Sequence, residues 1–129
     1  MARILVIDDE ADTRTLLEDW LASAGHQVVS ASDGKEGMKQ FRATPPDLVI
    51  TDLFMPNQDG VETIRELHRD FPDVPLIAMS GNVIAEPLLL VASRLGATEV
   101  LYKPFYTHEL LSAVERALHK GTKTAFQPT

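Results

Sequence analysis

Short apolar runs alternate along this chain with longer segments whose apolar residues recur at helical spacing. An uninterrupted apolar run is typical of a strand covered on both faces, and a shorter, weaker run suits the edge of a sheet. The strong runs are Ile4–Ile7, Leu48–Ile50 and Leu76–Met79, and the weak runs are Val28–Val29 and Val100–Tyr102. The pattern therefore predicts five strands, with the second and the fifth at edges.

Amphipathic segments separate and follow these runs, and capping or breaking residues mark their ends. The first carries apolar residues from Leu16 to Ala24, and Gly25 provides a stop. The second and third begin at Asp33 and Asp59, each an aspartate three residues before a glutamate, as in a capping box. The fourth and fifth helices are predicted over about Glu86–Leu95 and Thr107–His119.

Strands that alternate with helices predict an α/β domain with a parallel sheet. The chain has 129 residues and a mass of 14.2 kDa, which is enough for one core and too little for two domains of ordinary size. Residues 120–129 carry no periodic apolar pattern. We expect that segment to be mobile, as a tag remnant, a natural tail or the start of a linker.

The composition narrows the possible function classes. The chain has no cysteine, which excludes a disulfide framework, a cysteine nucleophile and a thiolate metal site. Its formal net charge of −7 disfavours direct binding to nucleic acid, because a phosphate-tracking protein usually needs a basic face. No apolar run approaches the roughly 18 residues of a membrane span, and the run before Asp8 is too short for a signal peptide. We therefore expect a cytoplasmic protein that binds neither membranes nor nucleic acid by itself.

Polar residues follow four of the predicted strands. Asp8 and Asp9 come after the first strand, Asp52 ends the third, Ser80 follows the fourth and Lys103 follows the fifth. In open parallel sheets, ligands bind beyond the carboxyl ends of the strands. We therefore expect these side chains to lie on one rim of the sheet.

The chemistry of this set points to a metal and a phosphoryl group. Each pair of carboxylates about 4 Å apart costs on the order of 1 to 4 kcal/mol of repulsion. A divalent cation removes that cost, and a ligand set of oxygens alone favours Mg²⁺ over zinc. Lys103 and the Ser80 hydroxyl add a positive charge and a hydrogen-bond donor, which suit phosphoryl oxygens.

Four motifs stand in order at the ends of the predicted strands: Ile7–Glu10, Thr51–Pro56 with Asp59-Gly60, Met79–Gly81 and Tyr102–Phe105. Over about residues 3 to 119 the chain thereby resembles the receiver domains of two-component response regulators, including the chemotaxis-regulator type. The resemblance implies a receiver domain over residues 1–120, and the missing apolar pattern predicts a flexible tail or linker remnant over 121–129. The resemblance also implies a doubly wound, flavodoxin-like sheet of order 2-1-3-4-5 with helices on both faces.

The resemblance implies a role for each acidic residue. Asp52 is the expected phosphoacceptor, whose carboxylate attacks a phosphohistidine on a partner kinase and becomes an acyl phosphate. Asp8, Asp9 and Asp52, with the backbone carbonyl of Phe54, are the expected ligands of Mg²⁺.

Lys103 and Ser80 are the other expected contacts of the phosphoryl group. The resemblance implies that Lys103 pairs first with the carboxylate and then with the phosphoryl oxygens, before a cis peptide bond to Pro104. It implies that the Ser80 hydroxyl turns onto the phosphoryl group and reports phosphorylation to the fourth helix. Family members usually couple that residue to an aromatic side chain three positions before the lysine, where this chain has Val100. Tyr102 is a possible substitute, but we expect the usual aromatic rotation to be absent.

The function expected from the resemblance is a signalling switch that catalyses only its own phosphotransfer and dephosphorylation. Its expected partners are a sensor histidine kinase or phosphotransfer protein, and a downstream protein or a second copy. The downstream contact is expected through the fourth helix, the fifth strand and the fifth helix.

Three alternatives remain open. A phosphatase of the haloacid-dehalogenase type needs a second aspartate two residues after Asp52, where this chain has Phe54, and a cap domain for which the chain has no room. A flavodoxin-like electron carrier shares the topology, but the acids after the first strand would repel a flavin phosphate. A receiver that binds partners without being phosphorylated is the third.

Overall fold

The computed structural model describes residues 1–53, 60–81 and 96–123. These residues form five strands and four helices. The strands are β1 Arg3–Ile7, β2 Gln27–Ala31, β3 Leu48–Asp52, β4 Leu76–Ser80 and β5 Glu99–Tyr102. The helices are α1 Ala11–Ser23, α2 Gly34–Ala43, α3 Gly60–Asp70 and a C-terminal helix, Thr107–Lys123. The fourth predicted helix and residues 124–129 lie outside the described residues.

The sheet is parallel throughout and has the order β2-β1-β3-β4-β5, as predicted. β3 and β4 are buried along their whole length, whereas β2 alternates between exposed and half-buried positions before its last residue. This difference explains why the apolar runs of β3 and β4 are continuous and the run of β2 is weak. The expected placement of β2 and β5 at the edges is confirmed.

Two apolar clusters cover the two faces of the sheet. On one face, α1 and the C-terminal helix pack through Leu17, Leu21, Leu110 and Val114 against β1, β3 and β4. On the other face, α2 and α3 pack through buried side chains such as Phe41. The expectation of helices on both faces is confirmed. The stripe on α1 is narrower than the sequence predicts, because Leu16 lies to one side of it and is 46% exposed.

The helix boundaries agree with the capping and breaking residues predicted from the sequence, except at the C-terminus. The Asp33 carboxylate accepts the Glu36 amide at 2.8 Å and caps α2, as predicted. Gly25 follows α1 with a positive φ of 93°. Asp59, the second predicted cap, lies outside the described residues. The C-terminal helix continues past His119 to Lys123. The apolar pattern predicts only the turns that pack on the sheet and gives no signal for the polar turn that follows them.

The four histidines are scattered on predicted helices or their ends, so the sequence predicts all of them at the surface. His68, His108 and His119 are exposed, but His26 is half-buried, and its Nδ1 accepts the Ala2 amide at 3.0 Å. His26 is therefore the least exposed of the four, and its ring anchors the start of β1. Burial and the nearby positive N-terminus lower the pKa of His26.

The helices of the described residues include none with the length and hydropathy of a membrane span.

The helix α2 lies so close to β1 that Gly37 has no room for a side chain. A methyl group there would clash with the Ile7 Cδ1 atom and would lie 2.8 Å from Ile7 Cγ1, and Ile7 is fully buried. We expect Gly37→Ala to lower the free energy of unfolding by about 1–3 kcal/mol, because overpacking outweighs the better helix propensity of alanine. Urea unfolding followed by circular dichroism measures this loss.

A matched control is Lys39→Ala, an exposed position on the same helix, which should change the free energy by less than about 0.5 kcal/mol. Adding Ile7→Val to Gly37→Ala removes the clashing methyl, so the double variant should lose less stability than the two single losses added together. A Gly37→Ala protein as stable as wild type would show that α2 can move away from the sheet without cost.

Candidate functional site

Asp8 directly follows β1 and is held by both its backbone and its side chain. Its amide donates to the Ala31 carbonyl at 3.1 Å and continues the pairing with β2. Its Oδ1 accepts the Glu10 amide at 2.9 Å, and its carbonyl oxygen accepts Nη1 of Arg14 at 2.7 Å. The side chain has no exposed surface. Asp8 is therefore a fixed carboxylate at the carboxyl end of β1.

Asp9 and Asp52 lie next to Asp8. Asp52 is the last residue of β3 and is 6% exposed, whereas Asp9 is exposed. One carboxylate oxygen of each of the three residues lies within 4.8 Å of the other two. The sequence prediction that these carboxylates meet on one rim of the sheet is confirmed.

Lys103 enters this cluster from the end of β5. Its Nζ donates to Asp8 Oδ2 at 2.8 Å and to Asp52 Oδ2 at 3.1 Å, and it lies 3.6 Å from Glu10 Oε1. Burial lowers the pKa of Lys103, but the hydrogen bond with Asp8 and the charge of Asp52 outweigh burial, so that its pKa is raised. The ammonium group is thus charged at neutral pH and offsets part of the repulsion between the carboxylates. The Lys103-Pro104 bond is cis, as expected.

The end of β4 shapes the path of the lysine. The Lys103 amide donates to the Ser80 carbonyl at 2.8 Å, which places the start of its side chain beside Gly81. A Cβ atom on Gly81 would lie 3.2 Å from the Cβ atom of Lys103. The bare backbone at Gly81 therefore leaves room for the stem of Lys103 to cross towards Asp8 and Asp52.

Ser80 and the two candidate switch positions lie on one face of the sheet. Ser80 ends β4, is 1% exposed and pairs in register with Tyr102. Tyr102 is 49% exposed, whereas Val100 pairs with Ala78 and packs against the core on the α2 and α3 face. A Val100 side chain in this position has no ring to rotate. Whether Tyr102 takes part in switching stays a prediction, as does the role of Ser80.

The donor set fits a magnesium ion. Carboxylate oxygens are the ligands that Mg²⁺ prefers, and neighbouring ligands of one ion lie about 3 Å apart and opposite ligands about 4 Å apart. One oxygen of each of the three carboxylates lies within 4.8 Å of the other two, close to the larger of these spacings. Phe54, the fourth predicted ligand, lies outside the described residues.

Three contacts at the site are not predicted from the sequence. Glu10 approaches Lys103, Arg14 holds the Asp8 carbonyl and Gly81 makes room for the lysine. The position of Arg14 in the first turn of α1 was a usable signal, because helical side chains point back towards the helix N-terminus, where the acids lie. The close approach at Gly81 has no comparable signature, since a glycine after a strand is ordinary loop composition.

The comparisons with known proteins agree on one family. A family model described as the response regulator receiver domain matches residues 4–115. A probable transcriptional regulator, ycf27 of Guillardia theta, is 37% identical over 126 residues, which cover 96% of this chain and 48% of that protein. The DNA-binding transcriptional regulator NtrC of Azospirillum brasilense is 38% identical over 127 residues, which cover 98% of this chain and 26% of that protein.

Solved structures give the same result. The response regulator receiver domain protein of Clostridium thermocellum superposes with a TM-score of 0.90 at 31% identity, covering 96% of this chain and 99% of that one. The chain spans about half the length, or less, of the curated relatives it matches, and nearly all of this solved receiver domain.

The bridging position of Lys103 yields a test. We expect Lys103→Met to lower the free energy of unfolding of the metal-free protein by about 3 kcal/mol, because it leaves the buried Asp8 and Asp52 carboxylates without a cation. Millimolar Mg²⁺ should restore part of this loss, since a divalent cation replaces the missing charge. Urea unfolding in a chelator and then in Mg²⁺ measures both effects.

The control is Lys39→Met, an exposed lysine on α2, which should be neutral in both buffers. A Lys103→Met protein with wild-type stability in chelator would mean that the carboxylates do not need the lysine.

Proposed function

Since the chain belongs to the response regulator receiver domain family, we propose that it accepts a phosphoryl group on Asp52 and acts as a phosphorylation-dependent switch in two-component signalling. One observation supports this most directly. The Asp52 carboxylate ends a buried strand at the rim of the sheet, beside two further carboxylates and 3.1 Å from the Lys103 ammonium. A nucleophile, an acidic cation site and a fixed positive charge are the parts that transfer to a carboxylate requires.

In the proposed reaction, an oxygen of Asp52 attacks the phosphorus atom of a phosphohistidine on a partner kinase or phosphotransfer protein. The bond from phosphorus to the imidazole nitrogen breaks as the bond to the Asp52 oxygen forms. The imidazole leaves and takes up a proton from water, and Asp52 becomes an acyl phosphate. Hydrolysis of that acyl phosphate returns the carboxylate, so the chain turns over only its own modification.

Lys103 is proposed to contact the negative charge on Asp52 before and after phosphoryl transfer. Before transfer its Nζ holds the Asp52 carboxylate at 3.1 Å and the Asp8 carboxylate at 2.8 Å, which keeps the attacking group oriented. After transfer the same ammonium contacts a phosphoryl oxygen. Because Asp8 retains its contact with Nζ, the lysine stays anchored while its second partner changes.

Asp8, Asp9 and Asp52, together with the Phe54 carbonyl, would hold Mg²⁺. When bound, the ion offsets negative charge on the carboxylates and on the incoming phosphoryl oxygens. Asp9 is the exposed member of the cluster, so it lies where a hydrated ion arrives. Asp8 and Asp52 are buried and complete the site from beneath.

The switch is proposed to work through Ser80 and the surface beyond it. A phosphoryl group on Asp52 brings new acceptor oxygens to the rim, and the Ser80 hydroxyl would donate to one of them. The added charge would shift a pre-existing equilibrium in the neighbouring loops and in the predicted fourth helix. Two exposed aromatic side chains lie at the end of β5 and shortly after it, Tyr102 at 49% and Tyr106 at 73%, and they suit contact with a downstream protein or a second copy.

The partners of the whole protein are also proposals. Relatives at twice the length or more carry the names of transcriptional regulators, so we propose an effector domain as one downstream partner of this domain. We propose that this domain itself contacts protein and not nucleic acid, since its net charge is −7. We also propose a cytoplasmic location.

The phosphoacceptor is testable with a small donor. Incubated with Mg²⁺ and acetyl phosphate, the wild-type protein should gain one phosphoryl group per chain, because the donor releases acetate and leaves an acyl phosphate on Asp52. Asp52→Asn removes the nucleophile and should gain none. Intact-protein mass spectrometry measures the modification, and treatment with hydroxylamine should remove it.

Asp19→Asn, an exposed position on α1, serves as the control and should label like wild type. Equal labelling of wild type and Asp52→Asn would place the chemistry on another residue and reject the proposal.

The metal ligands are testable separately. We expect Asp9→Asn to raise the Mg²⁺ dissociation constant by about tenfold or more, because the amide carries no charge and even indirect partners of a metal contribute tenfold effects. Isothermal titration of the metal-free proteins measures the constants. Asp19→Asn should bind like wild type, whereas an unchanged constant in Asp9→Asn would remove Asp9 from the ligand set.

A further inference from the structure

Arg14 makes a contact that neither the proposed chemistry nor the packing of the core uses. It lies in the first turn of α1 and is half-buried. Its Nη1 donates to the Asp8 carbonyl oxygen at 2.7 Å. Within the described residues this is the one polar contact of the guanidinium group that the structure records. A charged side chain is thus committed to one backbone oxygen beside three carboxylates.

That oxygen belongs to the peptide that joins Asp8 to Asp9. A peptide unit is planar, so holding its carbonyl oxygen also fixes the direction of the next amide nitrogen and restricts where the Asp9 side chain can point. Asp8 is already fixed at its amide by Ala31 and at Oδ1 by Glu10. The contact with Arg14 removes the remaining freedom of the link between the two aspartates.

Asp9 depends on this link more than its neighbours do. Asp8 and Asp52 are buried, and both accept from Lys103. Asp9 is exposed, and the structure records no hydrogen bond or ion pair of its side chain in the described part of the chain. Its carboxylate nevertheless lies within 4.8 Å of the other two.

We propose that Arg14 is the positioning residue of the acidic cluster: by clamping the Asp8–Asp9 peptide it directs the Asp9 carboxylate towards Asp52. Its positive charge acts in the same direction, because it lowers the repulsion that would turn Asp9 out into water. Arg14 touches no reacting atom and is not a catalytic residue. The inference rests on the proposed function, since it concerns the affinity of that cluster for Mg²⁺.

The test compares Arg14→Met with Arg14→Lys. Methionine has a similar length but neither charge nor donor, whereas lysine keeps both. We expect Arg14→Met to raise the Mg²⁺ dissociation constant by about tenfold, the usual cost of losing a group that orients a metal ligand. Arg14→Lys should retain more of the affinity. Arg65→Met, an exposed arginine on α3, is the control and should bind Mg²⁺ like wild type.

A second measurement separates positioning from a merely structural role. With acetyl phosphate as donor, Arg14→Met should be phosphorylated slowly at low Mg²⁺ and at close to the wild-type rate when Mg²⁺ is saturating. The loss then lies in metal affinity and not in the transfer itself. Circular dichroism at the assay temperature verifies that every variant is folded, and urea unfolding in chelator records any loss of stability.

The outcomes are distinct. A wild-type Mg²⁺ constant in Arg14→Met overturns the inference even if the variant is less stable, since Arg14 would then only anchor α1 to β1. Equal losses in Arg14→Met and Arg14→Lys also overturn it. If the wild-type protein itself neither binds Mg²⁺ nor is labelled on Asp52, the proposed function fails instead.

Discussion

The carboxylates of Asp8 and Asp52 share one ammonium group, and the rest of the site depends on that shared contact. Both acids are almost fully buried, and Lys103 Nζ lies 2.8 Å from one and 3.1 Å from the other. Two buried carboxylates without a cation would repel each other at a cost of several kcal/mol or take up protons. Lys103 lies between them and offsets that repulsion, and carboxylates held in this way are what the proposed nucleophile and metal ligands require. Asp9 adds a third carboxylate to the cluster. One lysine does not balance three carboxylates, and a divalent cation would supply the remaining positive charge.

Two properties of the sheet bring these groups together: the alternation of side chains between its two faces and the register of its strands. Ile4 and Val6 on β1, like Leu48 and Ile50 on β3, face α1 and the C-terminal helix. Two residues further along each strand, the same stripe reaches Asp8 and Asp52. The acids are therefore the polar ends of two otherwise apolar stripes, and the parallel pairing of β1 with β3 brings those ends side by side. Packing of these apolar stripes holds the two strand ends together, although repulsion between the carboxylates opposes that arrangement.

This relation explains which parts could be predicted from the sequence. A strand that is buried on both faces appears in the sequence as an apolar run, and the polar residue at its end lies on the rim. The rim positions of Asp8, Asp52, Ser80 and Lys103 are therefore predictable from the sequence. Contacts that depend on the distance between elements left no such mark. The passage of Lys103 over Gly81, the half-burial of His26 against Ala2 and the exposure of Leu16 follow from how closely helices and strands approach. A spacing pattern records which face of an element is apolar and not how wide the covered stripe is.

The three carboxylates differ in how firmly they are held, and that difference suits a switch. Asp8 is fixed by contacts from Ala31, Glu10, Arg14 and Lys103, whereas Asp9 is exposed at the rim. A group that receives an ion from water needs exposure, and a group that must not move while phosphorus transfers needs burial and several partners. The proposed role of the Arg14 contact reconciles exposure with orientation at Asp9. A contact on the Asp8 carbonyl restricts the direction of the Asp9 side chain and leaves its carboxylate uncovered. Under the proposed function, the rigid strand ends define where transfer takes place, and the exposed Asp9, oriented through its backbone, receives the ion that prepares the cluster for transfer.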